Sequence, residues 1–253
     1  MKNNMISGAE AVIKSLIEEG VDLIYGYPGG AIMPVYDELF KYQEEINHVL
    51  TRHEQGATHA AQGYARVSGK VGVVTATSGP GATNLVTGIA DAQIDSTPMV
   101  CITGQVASHL LGSDAFQETD IIGISTPVTK WNCQITKASE IPAVIAKAFY
   151  IAKSGRPGPV LIDIPKDVGQ EFFNYQRVLP GEIIPKGFKR NGDINDCDIK
   201  KAIKLIEESE RPLLYVGGGA ISSGAHDEIK TLANNYQIPV TTTLMGKGAF
   251  DEK

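Results

Sequence analysis

Three segments have residue types and spacing suited to chemistry. Arg52-His53-Glu54-Gln55-Gly56-Ala57 places an acid where a short apolar run gives way to a helical pattern. If the run is a strand of a parallel sheet, Glu54 stands at the carboxyl edge, where α/β proteins bind ligands. A carboxyl group beside apolar helix residues can hold or exchange a proton there. The plainer use is an acid favoured by the helix dipole, and position alone leaves both open. A zinc-protease pair is excluded: the second histidine would fall at 57, which is Ala, and His59 stands too far along. The second segment, Thr77-Ser78-Gly79-Pro80-Gly81-Ala82-Thr83-Asn84, puts glycines before a helix, where a ligand can approach free backbone N–H groups. It departs from the dinucleotide fingerprint, because Asn84 replaces the final glycine and no ribose-binding acid follows the next strand. The third, Val216-Gly217-Gly218-Gly219-Ala220, allows close backbone approach to a large ligand or simply a sharp strand-to-helix turn.

The elements around these segments alternate in type. Helical spacing covers 8–19, 33–42, 55–68, 82–94 and 141–153, and apolar runs suited to strands cover 22–26, 47–51, 71–77, 99–103 and 158–164. The last run is expected to stop at Pro165. This βαβα order predicts an α/β fold, a parallel sheet flanked by helices. Residues from 172 to 195 hold Pro180, Gly181, Pro185, Gly187 and Gly192 and read as a linker. A second unit then starts with a helix capped by Asp196 or Asp198 and running through Glu208. A strand at 212–216, a helix at 225–236 and a strand at 239–242 follow. One such βαβ unit cannot close a core alone, so the chain is expected to be a fragment or to need partners.

Composition narrows the classes. The 253 residues are 42% hydrophobic and 21% charged, with a net charge of −6, as in ordinary globular proteins. A clustered basic face for nucleic acid is not expected. No apolar run approaches the roughly 20 residues that span a bilayer. The start of the chain shows neither a signal core nor a transit segment, so a cytoplasmic protein is expected. Cys101, Cys133 and Cys197 form no CxxC pair, and buried thiols are the simplest reading.

Taken in order, the segments resemble the acetolactate synthase large (catalytic) subunits, a family of thiamine-diphosphate enzymes. The resemblance rests on Gly26-Tyr27-Pro28-Gly29-Gly30-Ala31, on 52–57, on 77–84, and on Ala115-Phe116-Gln117-Glu118-Thr119-Asp120. Gly155-Arg156-Pro157-Gly158-Pro159-Val160, 216–220 and Thr241-Thr242-Thr243-Leu244-Met245-Gly246 continue it, so that it spans essentially the whole chain. The Glu54 segment and the 77–84 turn recur across thiamine-diphosphate enzymes; the 27–30 and 116–120 segments are more specific to the synthases.

This resemblance implies a pyrimidine-binding domain over 1–171, a linker over 172–195, and the start of a Rossmann-like, FAD-binding-type central domain over 196–253. It implies decarboxylation of pyruvate on thiamine diphosphate and condensation with a second pyruvate or with 2-ketobutyrate, the first common step of valine, leucine and isoleucine synthesis. Glu54 then hydrogen-bonds a ring nitrogen of the cofactor's aminopyrimidine and is catalytic. Tyr27, Pro28, Gly29, Pro80 and Asn84 surround that ring. Gln117, the second catalytic candidate, lies at the active-site mouth with Phe116 beside it, and Lys166 stands near the substrate entrance. Arg156, Gly217, Gly218, Gly219, Thr243, Leu244 and Met245, with Asp95 a weaker candidate, contact FAD. The family holds Mg2+ and the diphosphate through a later Gly-Asp-Gly segment, so no metal ligand is expected in this stretch and the chain alone is expected to be inactive. A homodimer or tetramer is implied, with room for a regulatory small subunit. Pyruvate oxidase or a 2-keto-acid decarboxylase is the nearest rival reading, and a non-enzymatic nucleotide-binding module a more distant one.

Overall fold

The structure is a computed structural model in which residues 4–185 and 195–251 are described. The chain divides into two compact units, Met1–Asn191 and Gly192–Lys253.

In the first unit a short strand, β1 (Met5–Ser7), leads straight into α1 (Gly8–Glu18). The Ser7 hydroxyl accepts the Glu10 N–H at 3.0 Å, satisfying one orphan donor of the first turn. Val12, Ile13 and Leu16 form the buried face of α1, and Gly20, at φ 77°, ends it in a left-handed turn. The chain continues through β2 (Leu23–Gly26), α2 (Met33–Lys41), β3 (Asn47–Leu50), α3 (Glu54–Ser68) and β4 (Gly72–Ala76). Next come α4 (Pro80–Thr83), α5 (Val86–Ile94), β5 (Met99–Gln105), α6 (Ile121–Ser125) and β6 (Trp131–Gln134). The unit ends with α7 (Ile141–Lys153), β7 (Pro159–Pro165), α8 (Lys166–Gln170) and β8 (Phe172–Asn174).

Six strands form one sheet in the order β3-β2-β4-β5-β7-β6, every pair parallel. Every residue of β4, β5 and β7 is buried, because helices cover both faces of a parallel sheet and its inner strands must be apolar throughout. One core cluster joins α1, α2 and α7 to Val73, Val100, Ile102 and Val160; the other joins α3 and α5 to Val74, Cys101 and Leu161. The strand order reverses between β2 and β4. At such a reversal the connections leave in opposite directions and open a crevice at the carboxyl ends of the strands.

Expectations for several elements need correction. The helix expected over 82–94 begins earlier and is divided: α4 gives way to α5 at Asn84 and Leu85, where Leu85 N–H bonds to Ala82 O at 3.1 Å and tightens the turn. The strand expected to stop at Pro165 does end there, with Pro165 as its last residue opposite Gln105, where its missing N–H costs no inner pairing. The stretch expected to be linker from 172 begins as β8, which pairs antiparallel with β1, and Tyr175 packs into the first core cluster. Its Phe172-Phe173 pair is too short to show strand periodicity. Residues 186–194 of that stretch lie outside the described residues.

The second unit holds α9 (Asp196–Glu207), β9 (Leu214–Val216), α10 (Gly218–Ser222), α11 (His226–Tyr236) and β10 (Val240–Thr242), with β9 and β10 parallel. The cap of α9 is Asn195 rather than either aspartate: its side-chain oxygen accepts the Cys197 N–H at 2.9 Å.

Candidate functional site

The reversal of strand order decides which loops meet. The turn after β2 carries Tyr27 to Ala31, the turn after β4 carries Thr77 to Asn84, and α3 starts just beyond β3. They adjoin at the carboxyl edge: Tyr27 N–H bonds to Thr75 O at 3.3 Å and Ala31 N–H to Thr77 Oγ1 at 3.3 Å. Tyr27, Pro28 and Pro80 are solvent-exposed around this crevice, and Gly29 is half-buried.

Glu54 is the first residue of α3, positioned by the His53 cap, whose Nδ1 accepts the Gln55 N–H at 3.1 Å. The Glu54 side chain is 7% exposed, unusual for a carboxylate. Its Oε2 accepts a hydrogen bond of 2.9 Å from Asn84 Nδ2. Its other oxygen, Oε1, lies beside Gly81, where a Cβ would come within 3.3 Å. One oxygen is therefore fixed by the protein and the other faces a cradle that a side chain would fill. Behind this corner Tyr36 OH bonds Thr75 Oγ1 at 2.9 Å and meets His48 Nε2 at 3.3 Å. Burial, and the neighbouring Glu54 charge, push the Tyr36 hydroxyl up to about 12, so it stays neutral.

A fourth segment closes over this edge. Gly79, at φ 57°, is packed so tightly on Gln117 that a Cβ would sit 2.6 Å from the Gln117 carbonyl oxygen. Gln117 itself has φ 59°, a conformation uncommon without a glycine. The Glu118 carboxylate staples the loop by accepting the Gly112 N–H and, at 3.0 Å, the Ala115 N–H. These bonds, led by the one from Gly112, hold its pKa below the usual range. Phe116, beside Gln117, is 88% exposed. Asp167 Oδ1 accepts the Ser108 N–H at 2.9 Å, tying the base of the loop to α8, whose first residue is Lys166.

Two family models match the chain: "Thiamine pyrophosphate enzyme, N-terminal TPP binding domain" over residues 6–124, and "Thiamine pyrophosphate enzyme, central domain" over 199–253. Homologues cover nearly all of it. The acetolactate synthase large subunit of Parasynechococcus marenigrum is 60% identical over 98% of this chain and 40% of its own length. The acetolactate synthase of Arthrospira platensis is 56% identical over 98% of the chain and 43% of its own. The large subunit of Corynebacterium glutamicum is 54% identical over 98% and 39%. The chain belongs to the thiamine pyrophosphate enzymes. It spans about two-fifths of the length of these relatives.

Within that family the geometry at Glu54 fits the pyrimidine end of thiamine diphosphate: a buried carboxyl with one oxygen held by Asn84 and the other beside a glycine-lined wall. Of the residues expected around the ring, the structure gathers Glu54, Asn84, Pro80, Gly29, Tyr27 and Pro28 on one edge and adds the Gln117 loop. The residues expected for FAD are divided. Gly217 to Gly219 and Thr243 to Met245 meet at the carboxyl edge of the β9–β10 pair: Thr243 N–H bonds to Val216 O at 2.9 Å, and a Cβ on Gly218 would lie 3.0 Å from that of Met245. Leu244 above them is 84% exposed. Arg156 lies in the first unit and anchors the end of α5, donating to Ser96 Oγ at 2.6 Å and Ile94 O at 2.7 Å. Asp95 is paired with Arg66 at 2.6 Å.

One group that sequence reasoning missed is Asp163, wholly buried in β7. Its signal was an acid inside the otherwise apolar Val160-Leu161-Ile162-Asp163-Ile164 run, which a buried strand tolerates only if the charge is hydrogen-bonded. Among the described residues no cluster of three metal-ligating side chains occurs, and no helix is long and apolar enough to cross a membrane.

Proposed function

We propose that this chain supplies the pyrimidine-binding half of an acetolactate synthase active site. The observation that carries the reading is the buried Glu54 at the head of α3, held by Asn84, in a chain 54–60% identical to acetolactate synthases. When bound, thiamine diphosphate supplies the nucleophilic carbon that releases carbon dioxide from a 2-keto acid and transfers the remainder. Glu54, with Oε2 held by Asn84, would hold the aminopyrimidine ring through its other carboxyl oxygen and could carry a proton there. Asn84 fixes the rotamer of Glu54, so the acid cannot swing to water. Pro80, Tyr27, Pro28 and Gly29 wall the ring, and the Gln117 loop with Phe116 forms the mouth through which the keto acid enters, with Lys166 near its base.

The same reading gives pyruvate as donor and pyruvate or 2-ketobutyrate as acceptor, in branched-chain amino-acid synthesis. It adds FAD at the 217–219 and 243–245 segments, Mg2+ held by residues outside this stretch, and a cytoplasmic homo-oligomer able to accept a regulatory subunit. The test compares the full-length subunit containing this chain with its Glu54→Gln variant, supplied with pyruvate, thiamine diphosphate, Mg2+ and FAD. Acetolactate from the parent and a drop of at least about 100-fold in the variant are expected, as for loss of a proton-transferring side chain. A parent that makes none, or a variant that keeps its rate, overturns the reading.

A further inference from the structure

The Gln117 loop owes its shape to residues beneath it as well as to its own staples. Thr103 on β5 and Gln134 on β6 are both register partners of Asp163 on β7, so the three side chains stand side by side on one face of the sheet. Gln105, two residues beyond Thr103, joins them on that face. Asp163 Oδ1 accepts Thr103 Oγ1–H at 2.7 Å; its Oδ2 accepts Gln134 Nε2–H at 2.9 Å and Gln105 Nε2–H at 3.2 Å. The second Nε2 hydrogen of Gln105 goes to the Thr119 carbonyl at 2.9 Å, and its Oε1 accepts the Val106 N–H at 2.9 Å. Every polar position of the Gln105 amide is thus used. Turning the amide over would set its oxygen against two acceptors, so the carboxylate dictates which end faces Thr119.

We propose that Asp163 is a positioning residue, acting through Gln105 to clamp the Thr119 carbonyl and so to set the loop that carries Phe116 and Gln117. Three features make this more than core filling. An apolar residue would fill the site with no desolvation cost, whereas here burial pushes the Asp163 carboxyl up to about 6. The bond to Thr119 leaves the sheet and enters the loop two residues from Gln117. And Gln117 sits in a strained backbone conformation, which persists only where its surroundings enforce it.

The kinetic arm of the test rests on the carboligase reading; the exchange arm does not. In the full-length holoenzyme, Gln105→Met keeps the volume and removes all three amide bonds, those to Thr119 and Asp163 and the one from Val106 N–H. Amide hydrogen exchange of residues 107–120 should accelerate by about tenfold, the equivalent of one lost hydrogen bond, while residues 99–103 and 159–164 keep their protection. Pyruvate KM should rise by a similar factor with kcat nearly unchanged, and thiamine diphosphate affinity should stay as in the parent, because Glu54 and Asn84 are untouched. Gln134→Met removes one bond to Asp163 without touching Thr119 and should leave loop exchange and KM unaltered. Unchanged loop exchange in Gln105→Met, or equal acceleration of loop and sheet, overturns the assignment. So does an equal effect of Gln134→Met. Faster loop exchange in a protein that makes no acetolactate would sustain the clamp and refute the reaction instead.

Discussion

The crossing of α3 and α5 is close enough that one added methyl group should disable the site. Gly88 on α5 faces Thr58 on α3: a Cβ at position 88 would lie 2.5 Å from the Thr58 Cβ and nearer still to its hydroxyl. The approach is also pinned by Gln62 Nε2, which donates to Gly88 O at 3.0 Å. Carbon atoms pack at about 3.5–4.0 Å, so Gly88→Ala must part the helices by about 1 Å. Four residues before Thr58 stands Glu54, and four before Gly88 stands Asn84, so the same displacement passes to their 2.9 Å bond. That bond would stretch to about 4 Å, past the range in which a hydrogen bond survives. Misplacing a catalytic group by 1 Å costs on the order of 100-fold in rate, and overpacking of this kind costs about 1–3 kcal/mol of stability. On the proposed carboligase reading, acetolactate formation and urea unfolding, measured on the same full-length variant, separate the two effects. Adding Thr58→Gly to Gly88→Ala removes the opposing Cβ and should return most of the activity, although a glycine inside α3 still costs about 1 kcal/mol of stability. Full activity in Gly88→Ala, or a loss that Thr58→Gly does not relieve, would refute this account of the crossing.

Asp163 should leave a signature in the pH dependence of stability. Its carboxyl is raised from 3.8 to about 6 by burial, against the lowering effect of Thr103, Gln134 and Gln105, with the Asp120 charge adding a smaller rise. The folded state therefore binds the proton more tightly than the unfolded chain, and the resulting stability is present at low pH and lost as pH rises through about 6. Two pKa units correspond to about 3 kcal/mol. About half of this loss falls between pH 5 and pH 7.5, so urea midpoints at those two values should show it in the parent and a flatter profile in Asp163→Asn; an unchanged slope would contradict it. The thiols should also divide: Cys197 is exposed, Cys101 is fully buried, and burial pushes the Cys133 thiol up to about 12. A thiol reagent should modify one of the three in the folded protein and all three in urea, and rapid reaction of a second native thiol would show that the β5–β7–β6 region opens.

Much of this arrangement is legible from one-dimensional pattern. The apolar runs at 99–103 and 158–164 that become β5 and β7, the glycine after α1 and the acid at the head of α3 all follow from local rules. Position alone leaves Glu54 open between an acid favoured by the helix dipole and a proton-handling one; its burial and its bond to Asn84 are tertiary facts. Asn84 was placed near the same ring only by resemblance; its bond to Glu54 crosses 30 residues and no spacing rule reports it. The Asp163 cluster was missed for a related reason. Its members belong to three strands, and only the sheet order β5-β7-β6 sets them side by side. The break at Asn84 and the β1–β8 pair were likewise set by tertiary partners rather than by propensity.

That last pair bears on how the polypeptide emerges during synthesis. Asn4 Nδ2 donates to Tyr175 O at 3.2 Å, Tyr175 N–H returns a bond to Asn4 O at 3.0 Å, and Gly8 N–H, at the start of α1, bonds to Glu171 O at 2.9 Å. The opening residues of the chain are thus held by residues translated some 170 positions later. At about 5–20 residues per second, a ribosome takes on the order of ten seconds or more to make that stretch. Until then β1 has no partner and the wall of α1 beside Tyr175 stays open. The nascent first unit can assemble its inner strands early, but it latches only once Tyr175 has cleared the exit tunnel. A stalled or shortened product lacking those few residues would present an unpaired strand edge to every neighbouring chain.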